Sequence, residues 1–316
     1  MSELSVIVLA HRGLEAVRPL LRHLREQTVA HRLEVVVCPN PLDLSELQGQ
    51  FARVIQVQCS LLPSSAVARA AGVRAAASEV VAFVEDHSFP LADWAERLLA
   101  RYAQGSWSGV GPVVLNGNPS NPVSWLNFLA EYGDWAYPHA GGELHHIPGH
   151  NSSYRREVLL SLGERLADEL EAESTMQWRL QASGHRFFLE PLARVRHYNF
   201  SRLWSSLWLR FYGGWLFAAN RQSGWPGWRR WFYLLASPLI PLVRLVRVVR
   251  ACQRLARTPL LLGQLPVFLL LLAADAAGEA VGYATALSGP AMAWCSDSEF
   301  DRPRYMSSRD RELFPQ

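Results

Sequence analysis

The chain has 316 residues, 49% of them hydrophobic and 19% charged, with a formal net charge of +3. That length and apolar content exclude a disulfide-stapled miniature and a disordered chain, leaving one large domain or two smaller ones. The net charge conceals an uneven spread: all 31 basic residues are Arg, and twelve of them lie between Glu190 and Asp275 without one Asp or Glu among them. The remainder sets 19 Arg against 28 acids, a balance of −9. An acidic N-terminal part thus precedes a strongly basic segment.

Residues 4–10 (LSVIVLA) are a short, continuous apolar run rich in β-branched residues, as a buried parallel strand requires. The run begins by Leu4 with no basic n-region or cleavage site, which predicts no signal peptide. Residues 14–27 carry Leu14, Val17, Leu20, Leu21 and Leu24 at helical spacing. A second strand is predicted over Leu33–Cys38, stopped by Pro39, Asn40 and Pro41. An Ala-rich helix follows over 64–77, with Arg69 and Arg74 on its polar side, then a strand over Val80–Val84. Strands alternating with helices predict an α/β domain with a mostly parallel sheet, and in such sheets ligands sit beyond the C-terminal strand ends.

The Val80–Val84 strand runs into Glu85, Asp86 and His87. Three ionisable side chains in succession there must be solvated or paired, as cation ligands or as a plain strand-end turn with a cap. The order of elements and FVEDHSFP at 83–90 resemble the GT-A nucleotide-sugar glycosyltransferases of family 2, whose equivalent strand ends in an Asp-x-Asp-type motif. Three further stretches extend the resemblance: GHNSSYRR at 149–156, EAESTMQWRLQASG at 171–184 and ARVRH at 193–197. It implies a Rossmann-like GT-A domain and a divalent cation, Mn²⁺ or Mg²⁺, held by Glu85, His87 and His197. Mn²⁺ is favoured because imidazole suits it better than Mg²⁺. It further implies donor contacts from Ala10, Arg69, Glu85, Asp86, Asn151 and Arg155, and a catalytic base at Glu173 with Glu171 as the neighbouring candidate; Asp168 and Glu169 are more distant ones. Taken alone, the acids at 168–173 also fit a solvated helix face.

The family's second strand normally ends in an Asp, where this chain has Cys38-Pro39-Asn40-Pro41. No GxGxxG, P-loop, GxSxG or HExxH string occurs, which removes support for hydride transfer, P-loop hydrolysis and serine hydrolase chemistry. Cys38, Cys59, Cys252 and Cys295 form no CxxC pair, which predicts reduced thiols and a cytosolic setting.

Six of the twelve Trp fall within 191–274. Residues 232–249 are mostly apolar, and Arg244, Arg247, Arg250, Arg254 and Arg257 recur every three or four residues, which predicts one cationic helix face opposite Leu, Val and Ile. That pattern favours a helix in the headgroup plane of a membrane over a nucleic-acid surface. The apolar stretch Leu260–Ala274, interrupted by Gly263, Gln264 and Pro266, is short of the roughly twenty residues of a straight crossing, and Asp275 and Glu279 mark a return to polar surroundings.

These readings predict a catalytic domain over 1–200, membrane-associated amphipathic and apolar helices over 201–289, and a flexible polar tail over 290–316. The expected function is transfer of a sugar from a nucleotide-diphosphate-sugar to a lipid-linked or cell-surface glycan, by inversion, at the cytoplasmic face of the cell membrane. A membrane-bound binding protein on the same scaffold, without catalysis, is the alternative.

Overall fold

The strand β1 (Leu4–Leu9) and its parallel neighbour β2 (Leu33–Cys38) are buried along their whole lengths. The continuous apolar runs therefore fold as predicted, covered on both faces. The structure, a computed structural model, describes residues 2–38, 42–59, 65–222, 224–285 and 289–315. The Pro39-Asn40-Pro41 stop lies outside them. Helix α1 (Leu14–Arg25) buries Val17, Leu20, Leu21 and Leu24. Next come β3 (Arg53–Gln56), α2 (Ser65–Ala75), β4 (Val80–Phe83), β5 (Ser88–Pro90), α3 (Trp94–Ala103) and β6 (Gly109–Asn116). Helix α4 (Pro122–Tyr132), β7 (Gly142–Leu144), β8 (Ser153–Arg155), α5 (Arg156–Leu160), α6 (Leu166–Leu170), α7 (Glu173–Ala182) and β9 (Phe187–His197) follow. The sheet order is β3-β2-β1-β4-β8-β6-β9-β5, with β7 on β9. Strands β3, β2, β1 and β4 run parallel, and β8 continues the sheet antiparallel to β4 and β6.

Glu34, the second residue of β2, is fully buried. It is tolerated because Ser5 Oγ, the Ala77 backbone N–H and Arg53 Nη1 all donate to its carboxylate, at 2.5, 2.8 and 3.0 Å.

The chain divides into two compact units: residues 1–115 with 137–197 and 315–316, and residues 116–136 with 198–314. The second unit contains α4, α8 (Leu203–Arg221), α9 (Gly227–Ala236), α10 (Ile240–Arg254), α11 (Thr258–Gly263), α12 (Leu265–Ala284), α13 (Gly289–Phe300) and α14 (Ser308–Glu312). Its core joins Leu126 and Leu129 of α4 to Val248, Cys252, Phe268 and Leu271. On α8 and α12, glycines allow backbone-to-backbone approach: a Cβ on Gly278 would overlap the Phe211 carbonyl, one on Gly282 the Trp215 carbonyl, and one on Gly214 the Asp275 carbonyl. Among the described residues, two stretches, Gly227–Arg254 and Leu265–Ala284, are long and apolar enough to cross a membrane.

Three expectations for this region change. The second apolar stretch does not stop at Ala274; it belongs to the 20-residue helix α12, which continues through Asp275 and Glu279. Both carboxylates are buried, and both bind Arg244, at 2.9 and 2.7 Å. The arginines do not share one outward face either. Arg244 turns inward to those acids, Arg254 donates to the Gly133 and Ala136 carbonyls, and Arg257 lies 4.4 Å from the Trp125 ring centre. Third, 290–316 is not a flexible tail but carries α13 and α14, because its charged residues are interspersed with apolar anchors. Tyr305 stacks on Phe200 with ring centres 5.0 Å apart, Met306 is fully buried, and Ser307 caps α14.

Candidate active site

Four strand-end features meet within the first unit. Glu85, Asp86 and His87 follow β4 at its C-terminal end. The antiparallel β5–β9 pair sets Ser88 opposite His197, which brings His87 and His197 side by side with ring centres 5.0 Å apart. Strand β8 runs against β4 with Ala82 opposite Ser153, so Asn151 is level with the Glu85 end. Ile7 pairs with Phe83, which brings Ala10 level with Asp86 on the same edge.

Glu85, His87 and His197 are all buried, and one ligand atom from each lies within 4.8 Å of the others. His87 Nε2 and His197 Nε2 stand 3.6 and 3.4 Å from Glu85 Oε2. Asn151 Nδ2 donates to the same oxygen at 2.6 Å, while its Oδ1 accepts from the Glu85 backbone N–H at 3.3 Å. Burial pushes the Glu85 carboxyl up, but the charge of His87, a hydrogen bond and charge from His197, and the charge of His150 outweigh it and hold the group well below the usual 4.5. The His87 Nδ1 edge faces Asp86 Oδ1 at 2.7 Å. In the neutral ring, a proton held at Nδ1 would leave the Nε2 lone pair toward the cluster, the carboxylate-histidine arrangement that orients metal ligands. Two imidazoles and a carboxylate fit a divalent transition metal better than Mg²⁺.

Glu173 opens α7 and is 5% exposed. Arg69 Nη1 donates to its Oε1 at 3.2 Å and meets His150 Nδ1 at 2.9 Å. His150 Nδ1 also lies 3.3 Å from Glu173 Oε2, but that oxygen makes no hydrogen bond among the described residues. A buried carboxylate oxygen without a donor is the position a general base requires. Gly149 makes room for it, since a Cβ there would overlap the Glu173 carboxylate.

The structure therefore brings together Glu85, Asp86, His87, Asn151, His197, Arg69 and Glu173, with Ala10 on the same sheet edge. Arg69 sits among the base residues, bonded to Glu173. Glu171 is half-buried in the turn before α7; burial raises its carboxyl, partly offset by the charge of Arg69. Glu169 instead forms an ion pair with Arg179 at 2.6 Å. Arg155 is not brought to the site. It pairs with Val80 at the far end of β4, about 15 Å away at roughly 3.3 Å per strand residue, and lies over the Tyr102 ring. Four residues after Asn151, it is carried off by the strand itself. His150 escaped the sequence reading although GHNSS contains it; its position between two motifs distant in sequence is a tertiary property.

Residues 5–163 match the family model described as glycosyl transferase family 2. A search among curated proteins returns no match. Among solved structures, the chain resembles the mannosyltransferase PcManGT from Pyrobaculum calidifontis in complex with GDP-Man and Mn²⁺. The identity is 16% and the TM-score 0.53, covering 88% of this chain and 86% of that one. It also matches GalNAc-T7 with UDP, GalNAc and Mn²⁺ at 12% identity and a TM-score of 0.44, covering 62% of this chain and 43% of that one.

Proposed function

From the premise that this chain belongs to glycosyl transferase family 2, we propose that it moves a sugar, with inversion, from a nucleoside-diphosphate donor to a lipid-linked or cell-surface glycan acceptor. The observation that carries the reading is the unsatisfied, buried Oε2 of Glu173, in the same strand-end site as the Glu85, His87 and His197 cluster. Glu173 takes the acceptor hydroxyl proton as that oxygen forms its bond to the anomeric carbon. The bond from that carbon to the diphosphate breaks, and its electron pair leaves with the diphosphate. Arg69 holds Glu173 in place through the bond it donates to Oε1. Asn151 fixes Glu85, and Asp86 fixes the His87 ring. Glu85, His87 and His197 would hold a divalent cation, Mn²⁺ in preference to Mg²⁺, which would supply positive charge for the leaving diphosphate. The complex of the similar mannosyltransferase with GDP-Man and Mn²⁺ supports the same donor class here.

The two long apolar helices support a membrane-held enzyme that meets its acceptor on lipid, and the wide spacing of Cys38, Cys59, Cys252 and Cys295, with no CxxC pair, agrees with the cytoplasmic face. Thermal-shift and product-release assays with UDP-, GDP- and dTDP-sugars test the reading. At least one donor is expected to stabilise the protein and to release its nucleoside diphosphate only with Mn²⁺, both effects being lost with EDTA. Failure to bind or turn over any of them sinks it.

A further inference from the structure

The helical unit carries a surface that the transfer chemistry does not use. From Gly227 to Arg254 the chain runs as α9, a short 3-10 turn at Ser237–Leu239 and α10. Trp228, Trp231, Leu235, Leu239, Leu242 and Val246 recur at steps of three and four residues, the spacing of one helix face. They are exposed by 72, 63, 78, 58, 60 and 50%. A helix belonging to a protein core would hide these residues, yet only 11% of the most apolar part of this stretch is buried. The ionic contact points the other way, with Arg244 turned toward the buried Asp275 and Glu279 of α12. Hydrocarbon thus faces outward and the ion pairs inward, the reverse of a water-facing helix.

We propose that this row is a lipid-insertion face: α9 and α10 lie in the plane of a bilayer, the row sunk into the boundary between headgroups and acyl chains. The attraction is hydrophobic insertion, and adsorption of arginines to anionic headgroups is secondary, because Arg244, Arg254 and Arg257 are engaged within the unit. Two observations select a lipid surface as the occupant. Arg247 and Arg250 are exposed just past the row, placed to meet lipid phosphates, and no acid anywhere in 191–274 opposes them. The tryptophans at the other end suit the same headgroup level. The in-plane attitude follows from one-sidedness: α10 spends its other side on α12, α4 and the Gly133–Ala136 turn, whereas a crossing helix exposes apolar residues around more of its girth. This inference rests on the membrane setting proposed above and on no step of the transfer reaction.

Flotation of the full chain with neutral phosphatidylcholine vesicles tests it. Binding is expected to persist in about 1 M NaCl, where the screening length is about 3 Å. The double variant Leu235→Glu/Leu242→Glu is expected to lower the vesicle partition coefficient at least about tenfold. Both side chains are exposed, so the variant should keep its melting temperature and its response to Mn²⁺ and donor, which separates loss of lipid binding from misfolding. Flotation confined to anionic vesicles at low salt, or equal flotation of the double variant, overturns the proposal. So does self-association without lipid that the same substitutions abolish, with no flotation. For the attitude, single cysteines placed at Gln222 and Gln253 in a chain freed of its own cysteines should both react with an impermeant thiol reagent outside sealed vesicles; protection of either one overturns the in-plane arrangement. Intact flotation with no donor binding would fault the transfer reading alone.

Discussion

Glu173 and Glu171 stand two residues apart in a cluster of acids, yet their surroundings assign them different work. Only Glu173 combines burial, a bond from Arg69 and an oxygen left without a donor. Glu173→Gln is expected to lower kcat by about 10² to 10⁴ while sparing donor affinity, since a removed base costs the chemical step. Glu171→Gln should cost less than about tenfold. It has a separate signature in stability: burial raises the Glu171 carboxyl above 4.5 in the folded protein, so the native state keeps this proton longer than the unfolded chain. Stability contributed by the protonated form is therefore lost as pH rises from about 4.5 through the folded value. Urea unfolding at pH 4 and pH 7 should show Glu171→Gln gaining on the parent chain only at the higher pH. Asp86→Asn should weaken Mn²⁺ binding about 10- to 100-fold, because the His87 ring loses the charge that orients it; manganese paramagnetic-resonance titration reads this directly. At this scale the ionisable run after β4 was legible, because charge at a buried strand end demands a partner. The bond from Arg69 to Glu173 was not, because it joins residues 104 apart.

Elements repeat the lesson with a different cause. The buried strands β1, β2 and β4 were readable from continuous apolar runs, whereas β3, with its half-exposed RVIQ, carries too weak a pattern to be singled out. Arg155 was misplaced because a motif read as a string ignores that an extended chain moves about 3.3 Å with every residue. Helix α12 was cut short because Asp275 and Glu279 look polar in sequence; in the fold they are ion-paired and buried, and the glycines beside them let α8 approach. Gly278→Val is expected to destabilise the helical unit by about 3 kcal/mol, since a side chain there meets the Phe211 backbone, which has little freedom to move. Urea titration followed by tryptophan fluorescence would show it, and an unchanged midpoint would mean that α8 can shift aside.

For the molecule as a whole, the sequence reading puts a boundary at residue 200, and one of the two compact units holds 198–314. What composition does not reveal is that 116–136 belongs to that unit as well. Leu126 and Leu129 of α4 are 0% and 2% exposed only because α10 and α12 cover them. A chain ended at residue 200 should therefore bind the dye ANS strongly and aggregate on expression, whereas the full chain should not; a soluble, dye-silent fragment would show that α4 finds other cover. The tail was misjudged for a related reason, since Trp294, Tyr305 and Met306 are few enough to vanish in an average but suffice to dock a short segment.

The same discontinuity bears on how the protein is born. A ribosome releases α4 well before it has made Phe268 and Leu271, and with about 5 to 20 residues added per second the helix waits on the order of ten seconds for its cover. Throughout that interval an apolar stripe lies open in the middle of a nascent chain, where a holdase chaperone or the bilayer itself is the natural temporary shelter.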